Sequence, residues 1–434
     1  MNARRRLATG AVALAFAAAA CTVTIGSPPS KTPTISPDPS PSLVPTGPGS
    51  AAAAMERLCE SPKAGSGSGV TPEGPTPAVI ATVEEQVETV RGLRYTSHVD
   101  VKALTQEQID RRLTKNFDKT YPINFYARRS QAWGTIGVIP AGTSIRDALL
   151  AFLTGQVVGF YNPANGQLVY IGDDELSLTE RYILAHELTH AIDDQHFGLG
   201  RLDSILAKCD DEAFTAGLGA IEGSAQFFAA QVILRFPSDA PVGGGGDSGS
   251  LDGVPPFIST LQLWPYDAGM AFIQELNDRG GTPLVDRALT TFPVSTEQIV
   301  HPERWPFDTP QPVDVPDLGQ ALGAGWRDLD VMTVGEVWLQ LMLELRLDDE
   351  EAARAASGWD GGLYRAWTDG SETAVVLRTV WDSTQDANDF FHAMRGWTGE
   401  TAFAALMGGD RVDVGFSSDA ATLDALRIAL DSAP

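Results

Sequence analysis

The segment Leu184–His190 contains the motif H-E-x-x-H, whose residue types and spacing suit a catalytic zinc site. On an α-helix, which turns by about 100° per residue, the side chains of His186 and His190 project within about 40° of each other. Both imidazoles can therefore reach one metal ion, and Glu187 lies beside it as a general base. The pattern predicts zinc-dependent hydrolysis of peptide bonds. A chance pair of surface histidines is the alternative, which the presence of only six histidines in the chain disfavours.

A catalytic zinc usually has three protein ligands, and two residues compete for the third position. His196 follows His186 at the spacing of the metzincin motif, but Asp193 occupies the place where that motif needs a glycine for its turn. Glu222 is the other candidate, and a glutamate ligand on a separate helix is the gluzincin arrangement. Apolar residues surround Glu222 in the sequence, and a carboxylate in such a setting prefers a cation. The sequence favours Glu222, with His196 supporting a ligand or packing nearby.

Two helices must carry these ligands, and two strands precede them. The segment Ser177–Glu180 fits the S/T-x-x-E capping box and predicts the start of the motif helix. A second helix is predicted from about Asp211 to Leu234, which includes Glu222. Upstream, Gln156–Tyr161 and Gln167–Ile171 predict two strands around a glycine-containing turn. Such a strand pair can offer an edge to which an extended peptide pairs.

Several segments of the chain resemble a group of exported bacterial zinc metallopeptidases of the gluzincin type. These segments are Ala185–Phe197, Glu222–Ala225, Pro265–Phe272 and Ser295–Glu303. The resemblance extends over about Gln156 to Trp305. It implies a zincin-like core, in which the active-site helix lies beneath a small sheet and a second helix supplies a ligand. It also implies that one Zn²⁺ is held by His186, His190 and Glu222.

The chain departs from the gluzincin-like pattern at Ser224, where the resemblance leads us to expect an acidic residue. If that residue orients a zinc ligand, Ser224 or Gln226 can still offer an oxygen to an imidazole N–H. In the expected reaction, Glu187 takes a proton from the attacking water and passes it to the leaving amine. The developing oxyanion also needs a donor, for which Tyr266 and His301 are the candidates. Both are predicted in polar breaks, where a packing tyrosine and a turn histidine are the alternatives.

The N-terminus has the pattern of an export signal. Residues 1–20 combine Arg4–Arg6 with an apolar stretch that is too short for a permanent membrane anchor. The segment Ala18–Cys21 resembles the lipobox of bacterial lipoproteins, which implies lipidation of Cys21 and a position on the outer face of the cell membrane. Secretion as a soluble protein is the alternative. Residues 21–75 are rich in Pro, Ser and Thr and predict a disordered tether.

The formal net charge of −25 argues against nucleic acid and anionic lipid head groups as partners. A peptide or protein substrate and the membrane, through the lipid anchor, are the expected partners. Calcium is conceivable at Asp173–Asp174, Asp193–Asp194 and Asp210–Asp211, but no calcium-binding motif supports it. Solvated acidic surface is the preferred interpretation of these pairs.

Two cysteines, Cys59 and Cys209, remain when Cys21 is set aside. Because disulfides persist outside the cell, the sequence predicts a Cys59–Cys209 bridge near the candidate site. The alternative is that Cys59 binds the zinc as an inhibitory thiolate, which would leave Cys209 as a free thiol.

The globular part is predicted to be α+β and to divide into a peptidase domain at 76–310 and a small α+β lobe at 311–434. In the N-terminal part, helices are predicted at 77–92, 105–120 and 144–154. In the lobe, a helix is predicted from Thr333, because Thr333–Glu336 repeats the capping-box pattern. Strands are predicted near 373–380 and 411–416. The tryptophans of this lobe are expected in its core.

A second class of function stays open at the level of sequence. The chain could be a cell-surface lipoprotein that binds a partner and uses zinc structurally. It could also be a degenerate peptidase that captures peptides without cleaving them. Zinc stoichiometry distinguishes the first case from the enzyme, and turnover distinguishes the second.

Overall fold

Helices dominate the first part of the chain, and a five-stranded sheet dominates the C-terminal part. The computed structural model describes residues 47, 49–59, 77–120, 123–156, 159–163, 165–171, 176–242 and 251–432. The elements up to residue 300 are α1 (Ala51–Leu58), α2 (Ala78–Arg91), β1 (Asp100–Ala103), α3 (Gln106–Thr120), α4 (Ile123–Ile136), α5 (Ile145–Gln156), β2 (Gly159–Asn162), β3 (Gln167–Tyr170), α6 (Leu178–Phe197), α7 (Leu202–Leu206), α8 (Asp211–Arg235), α9 (Pro256–Gly280), α10 (Thr282–Thr290) and α11 (Thr296–Val300).

The remaining elements form the C-terminal sheet and its helices. They are α12 (Gly319–Leu322), β4 (Arg327–Thr333), α13 (Glu336–Glu344), α14 (Asp349–Ala356), β5 (Trp359–Thr368), β6 (Thr373–Trp381), α15 (Thr384–Ala393), β7 (Ala402–Leu406), β8 (Arg411–Ser417) and α16 (Ala420–Asp431). The protein is therefore α+β, as the sequence predicts. Among the described residues, no helix combines the length and the apolar character needed to cross a bilayer.

The small sheet has the strand order β1-β3-β2. Strands β2 and β3 are antiparallel, with Tyr161 opposite Leu168, so the predicted strand pair is confirmed. The sequence did not indicate β1, which runs parallel to β3. This strand is only four residues long and pairs with residues far along the chain; Asp100 also accepts a hydrogen bond from the Gln167 side chain at 2.6 Å. In the described part of the chain, β2 is an edge strand of this sheet.

The large sheet is antiparallel, with the strand order β4-β5-β6-β8-β7. Successive residues of β6 alternate between two hydrophobic cores, because side chains alternate across a strand. Ala374 and Val376 pack with α1 and α16, whereas Val375 and Leu377 pack with α4, α13 and α15. Helices therefore cover both faces of the sheet, which explains why β6 and β8, the predicted strands, are almost wholly buried.

The predicted start of the C-terminal helix at Thr333 is wrong. Helix α13 begins at Glu336 with Gly335 as its N-cap, and Thr333 is the last residue of β4. The Thr333 hydroxyl accepts a hydrogen bond from the Glu212 backbone N–H at 3.0 Å and donates to Asp210 at 3.1 Å. A contact with the start of α8 thus replaces the local capping box, which no sequence window could indicate.

The predicted disordered tether does not extend through residues 51–58, which form α1. Ser50 caps this helix, and the Ala51 N–H donates to Asp314 at 2.7 Å. Ala51 and Ala54 are fully buried against the large sheet. An alanine-rich run has high helix propensity, and it is stable here because one face packs against the sheet. The predicted signal peptide, Cys21 and the rest of the tether lie outside the described residues, except Gly47, Gly49, Ser50 and Cys59.

One hydrophobic core joins the segments on either side of residue 310. Trp133 and Phe257, from the N-terminal part, pack edge to face with Trp338 of α13. All described residues belong to one compact unit, Ser42–Pro434. The division into domains at 76–310 and 311–434 stays a prediction. The tryptophans at 359, 367, 381 and 397 are buried in these cores, as expected.

Candidate metal centre

Helix α6 carries the H-E-x-x-H motif and begins where the sequence predicts. The Ser177 hydroxyl accepts a hydrogen bond from the Glu180 N–H, and the Glu180 carboxylate accepts one from the Ser177 N–H at 2.8 Å. This reciprocal pair satisfies two backbone donors at the helix start. The helix ends at Phe197, and its C-cap Gly198 has a φ of 67°, in the left-handed region.

Helix α8 carries Glu222, and α9 crosses it at very short distance. A Cβ atom built on Gly223 would lie 2.1 Å from the Gly269 carbonyl oxygen, and one built on Gly269 would lie 2.0 Å from the Gly219 carbonyl oxygen. Only glycines permit the two backbones to approach so closely. The crossing lies one residue from Glu222, and it brings Tyr266 of α9 towards the motif helix.

His186, His190 and Glu222 form a three-ligand group whose donor atoms all lie within 4.8 Å of one another. The two Nε2 atoms are 3.0 Å apart, and Glu222 Oε2 lies 3.2 Å from His186 Nε2 and 3.3 Å from His190 Nε2. The predicted choice of Glu222 as third ligand agrees with this geometry. The group could hold a metal ion.

The carboxylate and the imidazoles of the triad change each other's pKa values. Burial lowers the pKa of the His190 imidazole, but the Glu222 carboxylate raises it more, to about 9. Burial raises the pKa of Glu222, but the two imidazoles outweigh burial and hold this pKa below its usual range. Both pKa shifts have the same cause. The ionised Glu222 carboxylate faces two imidazoles in a buried place, so the negative carboxylate and a positive imidazole stabilise each other.

Glu187 lies beside the triad and contacts the small sheet. Its Oε2 accepts a hydrogen bond from the Tyr161 backbone N–H at 2.7 Å. Because Glu187 follows His186 directly on α6, its carboxylate stays close to the candidate metal position while β2 holds one of its oxygens.

Tyr266 lies next to the triad. Its ring stacks on His186, with centroids 6.1 Å apart and planes inclined by 22°. The Glu222 carboxylate, burial and Glu187 all raise the pKa of the Tyr266 phenol, so this hydroxyl remains a proton donor. The predicted polar break at this position is wrong, since Pro265 and Tyr266 lie inside α9. The approach of α9 to α8, rather than a loop, brings Tyr266 to the site.

His301 and His196 lie in other surroundings. His301 lies at the end of α11, and its Nε2 is 3.2 Å from Oε1 of Glu336, the first residue of α13. The Glu336 carboxylate raises the pKa of the His301 imidazole. Its role as oxyanion donor stays a prediction that this placement does not favour. His196 is exposed in the last turn of α6, where its Nε2 lies 2.7 Å from the Arg94 carbonyl oxygen. It belongs neither to the triad nor to the core.

The sequence did not indicate a buried polar network behind the triad. Asp193 accepts from Arg91 Nε at 2.7 Å and from the Ser224 hydroxyl at 2.7 Å, and Arg91 also pairs with Asp286. Ser224 thus contacts Asp193 rather than an imidazole. The Gln226 side chain likewise accepts from the Tyr182 hydroxyl.

The interpretation of the acidic pairs as solvated surface is wrong at two places. Asp193 is buried against Arg91, and Asp194 accepts from Tyr161 and Leu199. Of the second pair, Asp210 caps α8 and Asp211 pairs with Arg129. Arg91, Tyr161 and Arg129 are distant in sequence from these carboxylates, so local composition could not identify them as partners. The pair Asp173–Asp174 lies outside the described residues.

A disulfide joins Cys59 and Cys209, as the sequence predicts. Cys209 directly precedes the N-cap of α8, and Cys59 follows α1. The bridge therefore links the first described helix to the start of the helix that carries Glu222. In this structure Cys59 is a disulfide partner and not a ligand of the triad.

The C-terminal part of the chain is similar to a known protein family. Residues 324–431, from just before β4 to the end of α16, match a family model described as a domain of unknown function (DUF8575). No curated protein matches the chain. A crystal structure from Chloroflexus aurantiacus, described as "a putative hydrolase with a novel fold", is similar at 14% identity with a TM-score of 0.34, over 59% of this chain and 95% of that chain.

Proposed function

We propose that this protein is a zinc-dependent peptidase that hydrolyses peptide bonds outside the cell. The observation that carries the proposal is the triad of His186, His190 and Glu222 with Glu187 adjacent to it. Two imidazoles and a carboxylate are a ligand set of catalytic zinc, and a neighbouring glutamate is the group that moves the proton in such enzymes.

The separations within the triad support zinc as the metal. Bonds of 2.0 to 2.2 Å in a tetrahedral site place neighbouring ligand atoms about 3.3 to 3.6 Å apart. The separations in this protein are 3.0, 3.2 and 3.3 Å. The three residues therefore fit a zinc ion with little rearrangement. Calcium and magnesium prefer sites made of oxygen atoms, which two imidazoles do not provide.

The residues of the chain divide the chemistry among them. A bound zinc ion would supply a Lewis acid that polarises the scissile carbonyl and activates water. Glu187 accepts the proton of that water and delivers it to the departing amine. Tyr266, whose phenol stays protonated beside the triad, donates a hydrogen bond to the developing oxyanion.

The edge strand β2 supports an extended peptide as the substrate. It lies against α6 at Glu187, and within the described sheet it has β3 on one side only. A peptide can pair through its main chain with the backbone groups of this edge other than the Tyr161 N–H, which Glu187 uses. Such pairing is a frequent mode of peptide recognition. We include the zincin-like core in this proposal, and the presence of the motif helix, the small sheet and the helix that carries Glu222 supports it.

The experiment uses the full chain and measures metal content and cleavage of casein or a peptide library. We expect one zinc per chain, and activity that a chelator removes and added zinc restores. In Glu187→Gln, activity should fall at least about 100-fold while zinc is retained, because the proton acceptor is lost and the ligands are not. In Glu222→Ala, zinc itself should be lost.

His196→Ala is the matched control, since it removes a histidine of α6 outside the triad. It should keep both zinc and activity. Loss of zinc in this variant but not in Glu222→Ala would move the metal site to the metzincin pattern and refute the proposed triad. Zinc without turnover in the wild type would instead support a structural metal or a peptidase that binds without cleaving.

We further propose that the protein is held on the outer face of the cell membrane through lipidated Cys21. The support is the lipobox-like segment Ala18–Cys21 after a basic and apolar stretch. In a bacterial host, the wild type should fractionate with membranes and Cys21→Ser should not. A wild-type protein found only in the soluble exported fraction would refute the anchor.

A further inference from the structure

We propose that Tyr161 is a positioning residue for Glu187, which it holds through its backbone N–H. This inference rests on the proposed peptidase function and extends it to the sheet. The Tyr161 N–H donates to Glu187 Oε2 at 2.7 Å, and the Tyr161 phenol donates to Asp194 Oδ2 at 2.8 Å. One residue of β2 therefore contacts α6 at two places.

The two contacts fall on the same face of α6. Glu187 and Asp194 are seven residues apart, so their side chains project within about 20° of each other and lie about 10 Å apart along the helix axis. The Asp194 carboxylate is itself fixed, because its other oxygen accepts from the Leu199 N–H at 2.8 Å. Burial, together with Asp194, raises the pKa of the Tyr161 phenol, which keeps this group a donor. The phenol thus anchors β2 along the helix, and the anchored strand sets where its amide meets Glu187.

The alternation of an antiparallel pair gives the amide its direction. Tyr161 lies opposite Leu168 and Phe160 opposite Val169. Because the Tyr161 N–H reaches Glu187, it faces away from β3, and the N–H of Phe160 must face towards β3. A peptide that adds to the free edge of β2 therefore meets an amide at Tyr161 that Glu187 already uses.

This arrangement separates the tasks of the two carboxylate oxygens. Oε2 is held by β2, and Oε1 has no hydrogen-bond partner among the described residues. Proton transfer to a general base is faster when the orientation of the base is fixed before the reaction. A misplacement of about 1 Å can lower the rate about 100-fold. Tyr161 does not touch the reacting atoms in this account, so its effect should appear in turnover and not in metal binding.

The test replaces single backbone amides by esters in the full chain. Incorporation of the α-hydroxy acid analogue of tyrosine at position 161 removes only the N–H and keeps the phenol. We expect kcat to fall about 10- to 100-fold, with KM and the zinc dissociation constant unchanged. The ¹³C resonance of the Glu187 side-chain carboxyl should also shift in the zinc-free protein, which gives a readout independent of activity.

The matched control places the corresponding ester at Phe160. This change removes an N–H of the same strand that faces β3, and should leave both kcat and the Glu187 resonance nearly unchanged. A second variant, Tyr161→Phe, removes the anchor to Asp194 but keeps the amide, and should lower kcat less than the ester does.

Three results would overturn the inference. The first is wild-type kcat with an ester at position 161. The second is an equal loss of kcat from the ester at Phe160, which would show a general effect on the strand. The third is a loss of zinc or a rise in KM that accounts for the whole defect. A wild-type protein that binds zinc but cleaves nothing would refute the proposed function itself, and this inference with it.

Discussion

Tyr266 gives the candidate site a hydroxyl group beside the triad. Its ring stacks on His186, and the carboxylates of Glu222 and Glu187 keep its phenol protonated. His301, the other candidate donor, is paired with Glu336 instead. The placement of these two side chains therefore favours Tyr266 as the group that meets the oxyanion.

Replacement of Tyr266 by phenylalanine should lower kcat about 100- to 1,000-fold, because one donor to the oxyanion is removed. Zinc content should not change, since the ring can still stack on His186. Steady-state kinetics and metal analysis of Tyr266→Phe check this expectation. Tyr182→Phe is the control, because it removes a hydroxyl that bonds to Gln226 on α8 and not one beside the triad. Equal activities of Tyr266→Phe and the wild type would remove Tyr266 from the mechanism.

The crossing of α8 and α9 determines whether Glu222 and Tyr266 can meet the motif helix together. The backbones touch at Gly219, Gly223 and Gly269, so a side chain at the crossing would force the helices apart. Buried residues of both helices, including Phe228 and Phe272, are packed in one hydrophobic cluster around this contact. The candidate metal site therefore depends on a packing contact that contains none of the three candidate ligands.

Gly223→Ala should destabilise the fold by at least about 2 kcal/mol, because the added methyl group overlaps the Gly269 backbone and cannot be accommodated by a side-chain rotation. Zinc affinity should fall as well, since Glu222 moves with α8. Denaturant unfolding and zinc titration measure the two effects.

Gly134→Ala is the matched control, because a Cβ atom there would lie 3.6 Å from its nearest neighbour, Ala141 Cα. This variant should be as stable as the wild type or up to about 1 kcal/mol more stable, as alanine is the better helix former. Unchanged stability and zinc affinity in Gly223→Ala would contradict the close approach of the two helices.

The disulfide connects distant parts of the chain. Cys59 and Cys209 are 150 residues apart, and the bridge ties α1 on the large sheet to the start of α8. Cross-linking so long a segment restricts the unfolded chain strongly, whereas the folded state changes little.

Removal of the disulfide should lower the free energy of unfolding by up to about 5 kcal/mol in the chain-entropy model. Denaturant unfolding of the full chain with and without reductant measures this loss, with thiol titration to show that the bond is broken. The double variant Cys59→Ser/Cys209→Ser should match the reduced wild type and not respond to reductant. An unchanged midpoint after complete reduction would show that packing alone holds α1.

The local sequence was sufficient for several helices and for the candidate ligands, although the capping-box pattern at Thr333 did not begin a helix. The capping box at Ser177 set the start of α6, and helical spacing placed His186 beside His190. Glu222 could be chosen as the third candidate ligand, because a carboxylate surrounded by apolar residues needs a cation as its partner. The cysteine count was enough to predict the disulfide. Each of these inferences uses information within one segment of the chain. The disulfide is the exception, and it was predictable because only two cysteines remain once Cys21 is set aside.

Long-range packing was decisive for the rest of the site. Asp193 meets Arg91 from 102 residues away, and Tyr161 reaches Glu187 through a backbone amide that carries no sequence signal. The insertion of Tyr266 beside His186 depends on glycines that let α9 touch α8. Composition and periodicity therefore indicate the candidate ligands and most of the helices of this protein, because these are local properties. Which groups surround the ligands follows from how the helices and sheets pack, because those partners become neighbours only in the folded chain.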